Sequence, residues 1–420
     1  MIYRVIGLMS GSSLDGLDIA YVHLQERVST ASRGAGSSAA PRGWDFQLIY
    51  TGCVPYPEEW RVRLAGATAL PAREYVVLHA EYGRWIGQEV VRFIAAHGLE
   101  YQVQLISSHG HTVFHSPAQR MTAQLGDGAA IAAETRINVV SDLRAMDVAL
   151  GGQGAPIVPV GEGAFWGEYP LLLNLGGIAN VTRQGGVGTA GGAGGGAGGA
   201  GSGGVQRVAF DVAPANRVMN ALAGDVGLAY DRDGLLAAAG RVDAALLGRL
   251  NALSYYGKGY PKSLANEFGT EEVLPLVRAA GMKVEDALRT YVEHLVEQIG
   301  RAVEKLGFGG DASSGGDVSS GGEVSSGEGV SPGGEQERAR MLTTGGGAHN
   351  SFLVGRLRER LGTLGVEVVV PEEAIVDFKE ALVMALLGVL RWREENTVLS
   401  SVTGASRDSI GGAVWIGQEV

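Results

Sequence analysis

Apolar residues open the chain in short alternating runs. Residues 3–9, YRVIGLM, read as a strand, residues 10–16, SGSSLDG, as a turn, and residues 17–24 as the returning strand. Residues 26–43 are small and polar, which suits a long hairpin tip, and residues 45–53 predict a third strand. The period then changes. Between residues 74 and 97, Leu78, Tyr82, Trp85, Ile86, Val90, Phe93 and Ile94 fall at helical spacing on one face, with Gly98 as the stop. Those aromatics belong to a core. Residues 103–106 predict a short buried strand that leads into SSHGHTVFH (107–115), and residues 138–142 predict another strand-to-loop transition.

At Leu171 the pattern restarts. LLLNLGGIANVT (171–182) is again strand, glycine turn, strand, echoing residues 5–22, so a duplicated α/β unit is expected. Val208, Ala209 and Phe210 then carry Asp211 to a strand end, and Pro214, which lacks an N–H, stops the strand. Asn216 is placed to cap the helical pattern begun by Val218, Met219, Ala221 and Leu222. Residues 284–306 predict a long helix. Residues 340–344 predict a strand, followed by three glycines and a helix containing Phe352, Leu353 and Leu357. FKEALVMALLGVLRW (378–392) is a strongly apolar helix that must be buried, with Glu380 near its start, where an acid suits the dipole. A glycine-rich loop and a short strand close the chain.

Length adds a domain count: 420 residues exceed one simple core, and two domains are expected. Many of the 67 glycines sit in two tracts, 184–205 and 307–337, whose composition cannot pack a core. The expected division is 1–165 and 166–420, with the segment from about 378 to 420 able to return to the first domain. A net charge of −11 without a long basic cluster argues against nucleic acid as a partner. Cys53 is the only cysteine, which excludes an intrachain disulfide and a thiolate cluster. No apolar run reaches the ~18 residues of a membrane span. A cytoplasmic location is expected, since residues 1–13 lack a signal-type pattern.

Three places invite chemistry. The 10–16 turn can face N–H groups to a phosphate, or be a plain hairpin turn. Asp211 at a strand end before a helix can be a base, or a turn residue. His109, His111 and His115 crowd seven residues, but no acid stands among them and Gly110 opposes a helix. A loop with histidines bonded to a polar ligand is favoured over a metal site. Asp142, Arg144 and Asp147 can contact substrate or form a surface cluster.

The order of glycine hairpin, second glycine hairpin, strand-end Asp and triple glycine resembles the sugar kinase, actin and heat-shock ATPase superfamily. More closely, GLMSGSSLDGLD (7–18), SHGHTVFH (108–115), DVALGGQGAPIVP (147–159), NLGGIANVT (174–182), FDVAPANRVMN (210–220), GGGAHN (345–350), DFKEA (377–381) and SVTGASRDSIGGAV (401–414) resemble the anhydro-N-acetylmuramic acid kinases. The resemblance implies an α/β fold of two RNase-H-like domains with a cleft between them. It implies ATP and Mg²⁺, phosphorylation of O6 of 1,6-anhydro-N-acetylmuramic acid while water opens the anhydro bridge, and a place in cell-wall recycling.

By the same resemblance Asp211 is the catalytic base. Gly11, Ser12, Ser13, Leu14, Asp15, Gly16, Leu17 and Asp18 hold ATP phosphates, and Gly176 and Gly177 form the second phosphate loop. Gly345, Gly346 and Gly347 with Asn350 border the adenosine. Ser108, His109, Arg144, Asp147, Asn216 and Glu380 line the sugar. No side chain is assigned as a direct metal ligand, the partner is a small anhydro-sugar, and a homodimer is the candidate assembly. Two departures stand out. Many family members have Gly-Pro-Gly-Asn where this chain has Ala213-Pro214-Ala215-Asn216, and Lys-Ser-Thr-Gly where it has Lys262-Ser263-Leu264-Ala265. They keep a second anhydro-sugar, levoglucosan, open as substrate. A non-kinase ATPase of the same superfamily is the alternative from another class.

Overall fold

The computed structural model describes residues 1–11, 14–27, 43–185, 207–260, 262–265, 267–309 and 338–417. Ser12 and Ser13, most of the expected hairpin tip and most of both glycine tracts lie outside the described residues. The first sheet begins as a meander of β1 (Ile2–Ser10), β2 (Gly16–Glu26) and β3 (Trp44–Pro55), each antiparallel to the next. β4 (Leu105–Ser108) joins β1 in parallel. A separate hairpin of β5 (His111–Ser116) and β6 (Met121–Leu125) precedes β7 (Val139–Ser141), which is parallel to β4. Residues 111–116, expected as loop, thus form a strand, because Thr112 and His115 pair with Gln124 and Thr122.

The second sheet repeats the plan. β8 (Leu171–Leu175), β9 (Ile178–Arg183) and β10 (Val208–Pro214) form a meander, β11 (Ala339–Thr344) is parallel to β8, and β12 (Val366–Val369) is parallel to β11. Both halves therefore run 3-2-1-4-5 with only the second strand reversed, the strand order of an RNase-H-like fold. The first sheet gains a sixth strand, β13 (Ala413–Trp415), antiparallel to β7.

Side-chain alternation divides the core into three layers. On the first sheet Ile6, Leu8 and Ile106 face outward, under the helix Ala72–Ala96. On the second, Leu171, Leu173 and Phe210 face the helices Val284–Lys305 and Ser351–Gly362. The remaining faces share one cluster. Val5, Val22 and Leu105 from the first sheet and Leu172 and Leu342 from the second pack with Leu382, Met384, Leu386 and Leu387 of the helix Glu373–Trp392. That helix approaches β1 very closely. A Cβ on Gly7 would stand 1.9 Å from the Ala381 carbonyl oxygen and 2.9 Å from the Ala385 nitrogen, so only glycine fits.

One ion pair is sealed within this layer. Lys379 Nζ lies 2.8 Å from Glu162 Oε1, with both side chains about 5% exposed or less (4% and 5%). Glu162 belongs to the helix Pro159–Phe165, and its Oε2 accepts the Thr182 hydroxyl of β9 at 3.4 Å. The pair thus links a helix lying on the first sheet to a strand of the second.

Two local expectations are corrected. Asn216 is the first residue of the helix Asn216–Gly224 and does not cap it; its side chain turns away to donate to the Leu175 carbonyl at 2.9 Å. Glu380 sits two turns inside its helix, which starts at Glu373, so the dipole at the helix start is not what it serves. No helix among the described residues is long and apolar enough to cross a membrane.

Lys379→Met would leave the Glu162 carboxylate buried without its cation, and such a loss costs about 3–5 kcal/mol. A marked drop in the urea midpoint of unfolding is expected. A wild-type midpoint would show that the pair contributes nothing.

Candidate active site

Asp211 lies on β10, whose register against β9 shifts between Asp211 and Ala213. A bulge of this kind re-aims side chains at a strand edge. The half-buried carboxylate is held by the backbone of a neighbouring segment: the Leu264 N–H donates to Oδ2 at 2.8 Å. Among the described residues no group donates to Oδ1. Burial pushes the Asp211 pKa up, and the Leu264 N–H and the Lys262 ammonium pull against it.

The tip of the first hairpin turns through Leu14, whose φ is 57°, and Asp15 Oδ1 accepts the Gly16 N–H at 3.0 Å. Gly11 follows the end of β1 and Leu17 lies on β2, on either side of this tip. Asp18 follows on β2. Its pKa is raised to about 6, first by burial and then by the charges of Asp15, Glu380 and Asp377, against a hydrogen bond from Cys53. Burial pushes the Cys53 thiol up to about 12, so it stays protonated.

In the second half the hairpin tip, the 345–347 glycines and the start of the Asn216–Gly224 helix pack together. The Gly176 and Gly177 carbonyls accept the Asn216 and Ala215 N–H groups at 3.1 and 2.8 Å. Gly345 has φ +80°, and a Cβ there would sit 2.6 Å from Asn174 Oδ1. Gly346 and Gly347 open a short turn that ends at His349, which bonds Asp377 of the Glu373–Trp392 helix at 2.5 Å. Asn350 caps the helix Ser351–Gly362, its Oδ1 accepting the Leu353 N–H at 2.9 Å.

The sugar-side candidates separate. His109 Nδ1 donates to the Gly110 carbonyl at 2.7 Å and Nε2 accepts the Arg144 Nε–H at 2.8 Å, which fixes a neutral tautomer. Burial and Arg144 lower its pKa to about 3. Arg144 remains charged at about 10, lowered by burial and supported by Glu380 and Asp147. Asp147 is a correction. It is fully buried, with Oδ2 accepting the Gly154 N–H and Oδ1 the Thr403 hydroxyl, both at 2.7 Å, so it shapes the 150–154 loop instead of facing a ligand. Ser108 pairs with Leu8 toward the outer face, while Ser107 pairs with Gly7 toward the Glu373–Trp392 helix; both hydroxyls lack a protein partner among the described residues. His111 and His115 contact Ser10 and Thr122, and among the described residues the three histidines form no metal-holding group.

The structure therefore gathers Asp15, Asp18, Asp377, Glu380 and Arg144 into one electrostatic neighbourhood. The charge acting on Asp211 is Lys262. Sequence reading missed Asp377 and Tyr255 and gave Lys262 no role. Two lysines, Lys258 and Lys262, in the tyrosine-rich run SYYGKGYPK were the available signal.

A family model described as "Anhydro-N-acetylmuramic acid kinase" matches residues 3–322 and 322–417. Proteins named anhydro-N-acetylmuramic acid kinase align end to end. That of Gloeobacter violaceus is 34% identical over 96% of both chains. That of Streptomyces coelicolor is 33% identical over 99% of this chain and 94% of its own. That of Methylobacterium nodulans is 32% identical over 97% and 98%. Among solved structures, the activator of the 2-hydroxyisocaproyl-CoA dehydratase from Clostridium difficile matches with a TM-score of only 0.38 at 12% identity, over 94% of this chain and 96% of its own, so the fold rests on the strand order above. With the family model spanning nearly every residue and relatives above 30% identity along their whole length, the chain belongs to the anhydro-N-acetylmuramic acid kinase family.

Proposed function

We propose that this protein is an ATP-dependent kinase that opens 1,6-anhydro-N-acetylmuramic acid with water and phosphorylates O6, giving N-acetylmuramic acid 6-phosphate in cell-wall recycling. The observation that carries the reading is Asp211, with one carboxylate oxygen held by a backbone N–H and the other free of protein donors among the described residues. A carboxylate so held can accept a proton from a water without losing its orientation.

In this reading the water attacks the anomeric carbon and its proton passes to Asp211 Oδ1. The C1–O6 bond breaks, and O6 takes the γ-phosphoryl group of ATP. The 11–18 hairpin and the Gly176–Gly177 tip would hold the phosphates, with the adenosine beside residues 345–350. Mg²⁺ when bound neutralises phosphate oxygens. Burial first, and then the charges of Asp15, Glu380 and Asp377, raise the Asp18 pKa to about 6, and the mutual repulsion of these carboxylates suits a divalent cation. Among the described residues no three of these groups converge as a ligand set, so they would act through the ion's waters. Arg144, oriented by neutral His109, would bind the sugar's polar groups. Dependence on ATP puts the reaction in the cytoplasm.

Incubation with ATP, Mg²⁺ and 1,6-anhydro-N-acetylmuramic acid in ¹⁸O-water should give the 6-phosphate carrying label at C1, by mass spectrometry. Levoglucosan should react far more slowly; a reversed preference would replace the substrate, and ATP hydrolysis blind to both sugars would sink the kinase reading. Asp211→Asn should lower kcat by roughly 10²–10⁴-fold while nucleotide affinity, read by calorimetry, stays unchanged.

The pH dependence has a definite sign. Asp211 works only when ionised, and burial raises its pKa, so activity should be lost on acidification at a higher pH than for an ordinary Asp. A kcat/KM profile with its acid limb at or below the ordinary Asp value would contradict this.

A further inference from the structure

Asp211 is fixed by one stretch of chain along the open edge of β10. The Tyr255 hydroxyl donates to the Asp211 carbonyl at 2.7 Å, the Asp211 N–H donates to the Lys262 carbonyl at 3.3 Å, and the Leu264 N–H donates to Oδ2 at 2.8 Å. β9 occupies the other edge, with Asn180 opposite Asp211. The side chain of Lys262 ties this stretch down. Its ammonium lies 4.3 Å from the centre of the Tyr255 ring and 5.7 Å from that of Phe210. It thus grips both the tyrosine that holds the Asp211 carbonyl and the residue preceding Asp211. Among the described residues Lys262 has no ion pair within 4.0 Å.

We propose that Lys262 is the positioning residue of the catalytic base: its cation–π contacts pin residues 262–264 to β10, so that Leu264 holds Oδ2 and Oδ1 is left to take the proton. The inference rests on the reading of Asp211 as base. It also accounts for a departure from the family pattern. The donor that holds Oδ2 is a backbone N–H, so Leu264 supplies it as well as the threonine found in other members.

The charges around Lys262 are Asp211 on β10, Lys258 on the same stretch, and Arg301 and Lys305 on the Val284–Lys305 helix. Burial and the neighbouring lysines bring Lys262 down to about 8, which leaves it charged throughout the acid range. Tyr255 and Tyr256 are pushed up by burial and stay neutral. Across the acid limb, then, Lys262 is the cation that opposes the effect of burial on Asp211.

Lys262→Met keeps an apolar stem and removes the charge; Lys262→Arg keeps the charge over the rings. For Lys262→Met, kcat should fall roughly tenfold or more with sugar and ATP KM little changed, the mark of an interaction used in the transition state. The acid limb of its kcat/KM profile should move to higher pH, and Lys262→Arg should restore the limb and most of kcat. A purely structural lysine would change the melting temperature without moving the limb. A Lys262→Met enzyme with wild-type kcat and limb overturns the inference. If that variant does not fold, a limb displaced upward in Lys262→Arg overturns it instead. Activity surviving in Asp211→Asn would remove the base itself, whereas Asp211-dependent turnover indifferent to Lys262 removes only this inference.

Discussion

The helix Glu373–Trp392 reaches its place because Gly7 has no side chain to hold it off. The contact of Gly7 with Ala381 and Ala385 brings helix backbone against strand backbone, and interiors packed this tightly do not deform gradually. The helix then presents three successive polar groups in different directions, since each residue turns about 100°. Asp377 meets His349 beyond the second sheet, Lys379 enters the closed layer to meet Glu162, and Glu380 turns to Arg144 and Asp18. One apolar helix thereby sets the register of both halves and supplies charge to the site.

Two half-buried aspartates in the site have been given opposite company. Burial raises both Asp18 and Asp211. Asp18 has further acids around it, so its charge is costly until a cation arrives. Asp211 has an ammonium and a backbone N–H, which work against its burial. The same residue type is therefore suited to a cation-linked role on one sheet and to proton acceptance on the other. His109, neutral because buried beside Arg144, adds orientation without adding charge.

Hairpins, long helices and the duplication could be read from local period alone, because each is written in neighbouring residues. The 3-2-1-4-5 order could not, since the parallel pairs join residues such as Met341 and Leu171 that only the finished sheet brings together. Asn216 looked like a cap because a polar residue before an apolar pattern is what capping requires; the nearby Leu175 carbonyl competes for its side chain and wins. Asp147 looked like a ligand contact because it follows a strand end, where loops often carry substrate contacts. Thr403, far along the chain, closes over it. Lys262 was given no role for a related reason. Its stretch meets Asp211 through backbone groups some fifty residues away, and backbone contacts leave no residue-specific trace.

The sixth strand of the first sheet has a bearing on how the chain is made. The second sheet is assembled from a continuous span, β8 to β12, whereas the first needs β1 at the chain's beginning and β13 near its end. Chains emerge from the ribosome N-terminus first, and domains fold as units. The half that is synthesised first must therefore wait, with Val5, Val22 and Leu105 uncovered, until the last helix and strand arrive. The later half can pair its own strands sooner, though its inner face, with Leu172 and Leu342, waits for the same helix. For that interval the nascent protein carries an exposed apolar sheet face, and chaperone demand should concentrate there.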